Sequence, residues 1–175
     1  MNVKIVAVTQ PIVVNDATMQ PLTADEFIAY TARVSNPGNQ HNHLTAPKLI
    51  QYLLDHKHFS PFEMVHVVMS IDTTRDIAHQ IVRHRSFSFQ EFSQRYADPT
   101  KDMGFTFSEA RLQDHKNRQN SIEIDDAELQ ENWDVTQQTV VEFAVERYEW
   151  AVKNGIAKEV ARKILPEGLT NTRLY

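Results

Sequence analysis

The spacing of apolar and polar positions divides the chain into segments with different periods. Residues 3–9 are rich in β-branched side chains and run up to Pro11, which predicts a first strand. Thr23 with Glu26 three residues later makes a capping-box pattern, so a helix is expected over about 24–34, closed by the Asn36-Pro37-Gly38-Asn39 cluster. A second helix is expected from Thr45 to about His56, with Pro47 in its first turn and Ile50, Leu53 and Leu54 on one face. After the turn His58-Phe59-Ser60-Pro61-Phe62-Glu63, the apolar run Met64 to Ile71 predicts a buried strand. Thr74 is the expected cap of the next helix, which turns Ile77, Ala78, Ile81 and Val82 inward.

Residues 97–124 hold no sustained period, and only Gly104–Phe107 and Ser121–Ile124 qualify as short strand candidates. The longest periodic segment follows, from about Asp126 to Lys153, with Leu129, Trp133, Val140, Phe143, Ala144, Arg147 and Ala151 at helical spacing. Asn154-Gly155 ends it, and a last helix over about Ala157–Leu165 stops before Pro166. No repeat, low-complexity tract or linker interrupts this order. It predicts a single mixed α+β domain with one long helix.

Composition narrows the functional classes. The 175 residues carry a formal charge of −5, which argues against a nucleic-acid polymer as partner. There is no cysteine, so disulfides, a thiolate nucleophile and cysteine-ligated zinc are excluded for this chain. No apolar run approaches the roughly 20 residues that span a bilayer. The first residues read as a strand rather than a signal peptide, and the expected location is cytoplasmic.

Against this acidic background one stretch stands apart, Arg83-His84-Arg85-Ser86-Phe87-Ser88-Phe89-Gln90-Glu91-Phe92-Ser93-Gln94-Arg95-Tyr96. Arginine is almost never buried without a partner, so the run is a poor core segment, and its phenylalanines make it a poor solvated face. Guanidinium forks fit phosphate oxygens and aromatic rings offer flat surfaces to a heterocycle. The chemistry points to a phosphorylated, ring-bearing ligand. Four glycines in the whole chain leave no room for a Rossmann or Walker A loop, so any nucleotide must be held by side chains.

Each candidate also has a plainer reading. His41-x-His43 and His56-x-His58 match no strong zinc spacing, and no metal is expected. His58 is either a ligand-site residue or a loop histidine. Ser93 lacks a nucleophile-elbow context and reads as a hydrogen-bond donor rather than a nucleophile. Glu91 among arginines is either half of a structural ion pair or a carboxylate that positions a substrate hydroxyl or imide. Arg162, on the helix before Leu165-Pro166, reads by itself as a surface arginine.

Arg83-His84-Arg85, seven residues and then Ser93 resembles the signature of the flavin-dependent thymidylate synthases. Thr31-Ala32-Arg33-Val34-Ser35 is similar to the family's early Ala-Arg-Val-Ser segment, and His58-Phe59-Ser60-Pro61-Phe62-Glu63 to its His-x-(Ser/Thr)-Pro-Phe-Glu turn. Gln80 before the signature, Arg95-Tyr96 after it and Ala161-Arg162-Lys163-Ile164-Leu165-Pro166 extend the likeness over 30–166. The resemblance implies synthesis of dTMP from dUMP, with methylenetetrahydrofolate as carbon donor, FAD as cofactor and NADPH as its reductant. It implies a twisted antiparallel sheet with helices and a homotetramer with shared active sites. By the same resemblance His58, Ser60, Arg83, His84, Arg85 and Glu91 would face FAD. Gln80, Arg83, Glu91, Phe92, Ser93, Gln94, Arg95 and Arg162 would surround dUMP, with Arg95 and Arg162 on its phosphate. Glu91 and Ser93 would hold binding or positioning roles in catalysis.

The family continues past its Leu-Pro segment into an Asn-x-Arg stretch and another helix, which carry flavin contacts and the arginine that activates the pyrimidine. The stretch after Leu165-Pro166 is read as lacking that segment and its helix, and Arg173, although Asn171-Thr172-Arg173 has the Asn-x-Arg spacing, is not assigned to the motif. The expectation is a domain over 1–175 without that segment, as a piece of a longer chain or as a natively short one. A non-catalytic FAD- or nucleotide-binding module of the same fold is the alternative, and a metal-dependent hydrolase built on the histidines is a third reading.

Overall fold

The computed structural model describes all 175 residues. They form two compact units, one of Lys4–Met69 and the other of Met1–Val3 with Ser70–Tyr175.

The N-terminal unit starts with β1 (Asn2–Val8), followed by the two-residue strands β2 (Val14–Asn15) and β3 (Gln20–Pro21), which pair antiparallel. Helix α1 (Ala24–Ala32) opens on the expected capping box: the Thr23 hydroxyl accepts from Glu26 N at 3.2 Å and Glu26 Oε2 accepts from Thr23 N at 2.9 Å. The bond from the Thr23 backbone N–H, followed by that from the Asn15 amide, holds the Glu26 carboxyl below its ordinary range. Helix α2 (Ala46–Asp55) carries Pro47 in its first turn and packs on α1. The family-like Arg33 is buried at the end of α1, where it donates to Asn42 O and, at 2.8 Å, to Thr45 Oγ1. It ties the intervening loop to the helix. Ser60–Met64 is a 3₁₀ turn, so β4 (Val67–Thr74) begins three residues later than the apolar run suggests. Pro61 and the short-range bonds of the turn claim Met64 before any strand partner can. Just after β1, Thr9 N donates to His66 O at 2.9 Å.

In the C-terminal unit, α3 (Arg75–Ile81) follows β4 directly, with Thr74 at its N-cap. The Thr74 hydroxyl donates to Asp76 Oδ1 instead of accepting from the helix. Of the four residues expected to pack inward, Ala78 is buried, whereas Ile77 and Val82 remain exposed on this two-turn helix. A short helix α4 (Pro99–Asp102) begins on an Asp98 cap. The expected strand over Gly104–Phe107 is reduced to one bridge, Phe105 with Thr170. Strands β5 (Arg111–Gln113) and β6 (Ser121–Glu123) form a hairpin.

The long helix α5 (Ala127–Lys153) closes with Ile156 N donating to Ala151 O and Gly155 at φ +82°, the left-handed geometry that glycine adopts without strain. Its buried face keeps Ala144 and Ala151 of the expected stripe and otherwise lies beside it. Gln137, Val141, Ala144, Tyr148 and Ala151 face inward, while Leu129, Trp133, Val140 and Phe143 are exposed. On the inward face the Gln137 amide oxygen accepts from Ser108 N and Oγ and its NH2 donates to Ser108 O, which also accepts from Trp133 Nε1. The core joins Ala144, Tyr148 and Ala151 to Ala161 of α6 (Lys158–Ala161) and to Leu165. Strand β7 (Asn171–Leu174) ends the chain, antiparallel to β4 with Ile71 opposite Leu174 and Thr74 opposite Asn171. No helix is long and apolar enough to cross a membrane.

Candidate functional site

β7 positions the signature stretch. Gln90 N donates to Tyr175 O and Tyr175 N to Gln90 O, both at 2.9 Å, and Phe92 N donates to Arg173 O. Gln90, Glu91 and Phe92 are thereby held extended along β7, with Glu91 bridged to Leu174. The backbone then turns, since Ala97 N donates to Ser93 O and Arg95 N to Ser93 Oγ. This turn buries Gln94 and leaves Ser93 half-buried beside it.

The cations fall into two kinds. Arg83, His84 and Arg85 leave the end of α3 in an exposed turn, and none of their side chains has a hydrogen-bond or ion-pair partner in the protein. The His84 ring stacks on Phe87 with centroids 4.3 Å apart, and Phe87 meets Phe89 edge-on at 6.3 Å. Arg162, half-buried in the 3₁₀ turn Arg162–Ile164, also has no hydrogen-bond or ion-pair partner. Arg95 by contrast pairs with Glu159 at 3.0 Å, both side chains being well exposed. Gln80 is exposed near the end of α3.

Two buried polar atoms of this unit are orphaned, Gln94 Nε2 and the Tyr148 hydroxyl. Burial, and then the charges of Asp98 and Asp102, push the Tyr148 phenol up from its usual range. Glu91 is committed to an ion pair. Its Oε1 accepts from Arg75 Nη1 at 3.0 Å and from Thr172 Oγ1 at 3.0 Å. Arg173 is also paired, with Asp72.

Arg75, Thr172 and Glu167 went unnoticed in the sequence. One signal for Arg75 was available: it occupies the first position of a helix, where the dipole disfavours a cation, so a partner was to be expected. Thr172 and Glu167 offered none, because their role depends on pairing with residues some 80–90 positions earlier.

His58 and Ser60 belong to the N-terminal unit. His58 N donates to Leu53 O, and its exposed ring meets Tyr52 edge-on at 6.3 Å. Ser60, with no side-chain partner, lines a cleft of about 440 Å³ together with Tyr30, Thr31, Val34, Gln40, Pro61 and Met64. His56 stacks on Tyr52 and His41 contacts Asp16, and nowhere do three metal-ligating side chains converge.

A surplus of donors is what an anionic ligand requires. Free guanidinium groups, an imidazole beside a ring and an orphaned buried amide suit a flavin nucleotide or a nucleoside monophosphate, and no backbone phosphate loop competes with them.

Fold and site together define an α+β protein whose signature stretch carries cationic side chains without partners in the protein. A family profile described as "Thymidylate synthase complementing protein" matches residues 18–175. Along its whole length the chain is 46% identical to the probable flavin-dependent thymidylate synthase of Paramecium bursaria Chlorella virus 1, covering 77% of that protein. It is equally 46% identical to the flavin-dependent thymidylate synthase of a Synechocystis strain, covering 78% of it. The chain belongs to the flavin-dependent thymidylate synthases, an enzyme family. Its fold is also that of a solved UMP/dUMP methylase, PolB from Streptomyces cacaoi, with a TM-score of 0.77 at 24% identity over 99% of this chain and 69% of that one.

Proposed function

We propose that this chain binds FAD and dUMP and takes part in reductive methylation of dUMP to dTMP, with methylenetetrahydrofolate as carbon donor and NADPH as reductant. The observation that carries the reading is the set of unpartnered donors, Arg83, His84, Arg85 and Gln94 Nε2 within the signature stretch and Arg162 in the later Ala-Arg-x-x-Leu-Pro segment. Arg83, His84 and Arg85, with Glu91, are assigned to FAD. His58 and Ser60 join them on their motif alone. Gln80, Arg83, Glu91, Phe92, Ser93, Gln94, Arg95 and Arg162 are assigned to dUMP, with Arg95 and Arg162 on the phosphate.

FAD held by Arg83, His84, Arg85 and Glu91 would supply hydride chemistry once reduced. The protein groups bind and orient. With no cysteine, this chain offers no thiolate to add to the pyrimidine, so its contribution to activation is electrostatic. Glu91 and Ser93 accordingly act as positioning groups. Arg95 must exchange Glu159 for the phosphate, a small cost because exposed ion pairs contribute only about 0–1 kcal/mol.

A homotetramer with shared sites belongs to the same proposal. It is supported by the exposed apolar stripe of α5 and by the exposure of Val3, Ile5, Val6 and Val8 on β1. A cytoplasmic location accords with soluble nucleotide and folate substrates.

The test is reconstitution with FAD under anaerobic conditions. The protein should be yellow, bleach with NADPH and release dTMP once dUMP and the folate are added. A colourless protein without affinity for FAD or dUMP would refute the assignment. Binding of both without product would mark a nucleotide-binding module instead.

A further inference from the structure

Arg75 is nearly enclosed, with 12% of its side chain exposed, and every face of its guanidinium is engaged. Nη1 donates to Glu91 Oε1 at 3.0 Å, Nε donates to both carboxylate oxygens of Glu167 at 3.0 and 3.2 Å, and Nη2 lies 3.3 Å from His79 Nε2. A cation at the first position of a helix opposes the dipole, and two carboxylates offset that penalty here. His79 Nε2 can accept from Nη2 only in the neutral tautomer with its proton on Nδ1, the nitrogen 3.8 Å from Glu167 Oε2.

The consequence lies on Glu91. The Arg75 and Thr172 hydrogen bonds both land on Oε1, one from the start of α3 and one from β7. Two fixed donors from different elements leave the carboxylate little freedom to rotate. Oε2 receives no hydrogen bond. Two carboxylates share one guanidinium, so Oε2 keeps negative potential and an unused acceptor direction.

We propose that Arg75 is a positioning residue: together with Thr172 it locks Glu91 so that Oε2 accepts an N–H or O–H of the bound nucleotide. Glu167 holds Arg75 in turn, which makes the unit a relay of three side chains behind one acceptor. The inference rests on the reading that Glu91 faces dUMP. It adds residues outside the signature on which the aim of the signature carboxylate depends. A carboxylate held this way enters binding with its rotamer already chosen, so less conformational entropy is lost when the ligand arrives.

The experiment measures dUMP affinity by calorimetry on the flavin-loaded protein for the unmodified chain, Arg75→Lys, Thr172→Val, Glu91→Gln and the two doubles containing Glu91→Gln. Lysine keeps the charge but lacks the rigid planar fork that fixes the two carboxylates and His79 in their present directions. Arg75→Lys and Thr172→Val should each weaken dUMP binding by about tenfold, within the range of coupling between residues in contact. Neither should weaken it further once Glu91 is glutamine. A merely structural role would lower the melting temperature without this loss of additivity. Equal dUMP affinity in Arg75→Lys and the unmodified chain, or effects that add to that of Glu91→Gln, would overturn the inference and leave the assignment of Glu91 standing. An unmodified chain that binds no dUMP would remove both, and that outcome is told apart by the unmodified protein alone.

Discussion

Asp72 and Arg173 face each other across the β4–β7 ladder, with Arg173 Nε 2.6 Å from Oδ1 and Nη2 3.2 Å from Oδ2. The pair is two-pronged and partly exposed, and the guanidinium is held in place by the strand rather than left free for a ligand. Arg173→Gln should therefore cost about 0.5–1 kcal/mol of stability, the upper part of the range for exposed pairs. Affinity for dUMP should not change. A loss of dUMP binding in Arg173→Gln, with stability unaltered, would show that this arginine reaches the ligand after all.

Arg95 and Arg162 make a contrasting couple, since one has a carboxylate partner and the other has none. Replacing either by alanine should weaken dUMP binding by about 1.5–3 kcal/mol, as expected for a lost charge-assisted hydrogen bond. Glu159→Gln should act the other way, raising dUMP affinity by up to fivefold, because it removes a competitor worth at most about 1 kcal/mol. The same titration at high salt would shrink this gain. If Glu159→Gln weakens binding, Glu159 is aiming Arg95 rather than competing for it.

What could be read in the sequence was what local rules decide. The Thr23–Glu26 capping box, Pro47 in the first turn of α2 and Gly155 after α5 all rest on bonds spanning a few residues. The face of α5 could not be read that way. Two stripes run along it one position apart, and the one that turns inward is covered by Ser108, Ala161 and Leu165, which become neighbours only on folding. β7 escaped notice because Asn-Thr-Arg-Leu carries no apolar alternation. Its one threonine, Thr172, is buried by pairing with β4 and with the signature, partners about 80–100 residues upstream. The site was legible as a list of residues through the signature. The division into free and paired cations required the fold, because Glu167, Asp72 and Thr172 become neighbours only on folding.

Tyr148 is 1% exposed and its hydroxyl has no partner. An unsatisfied buried hydroxyl is a cost, so Tyr148→Phe should stabilise the protein by about 1 kcal/mol. For a chain of this size the melting temperature would rise by about 2–4 °C. Because the folded phenol keeps its proton to higher pH than the unfolded one, the unfolded chain deprotonates first as the pH passes about 10. Stability should be insensitive to this group below that pH and fall above it, and the phenylalanine variant should lose that part of the alkaline decline. Melting curves from pH 7 to 11 decide it; a variant less stable than the parent at neutral pH would mean that the hydroxyl has a bridging water.

Leu129, Trp133, Val140, Phe143 and Trp150 lie along α5 at separations of 4, 7, 3 and 7 residues, and all are exposed. Thr136 and Arg147 complete the same heptad-like seam, with Arg147 placed over the Phe143 ring at 5.4 Å. Phe143, 63% exposed, is the largest departure from what an isolated surface helix would show. If a second copy covers this seam, an aromatic residue there removes about 150–250 Å² from water, and a carboxylate in its place would be buried without a partner. Phe143→Glu should therefore break the assembly, shifting the mass measured by light scattering from four times the 20.2 kDa chain toward smaller species. The helix should survive, since glutamate is a good helix former. An unchanged mass in Phe143→Glu would place the subunit contact elsewhere, with exposed β1 as the next surface to alter.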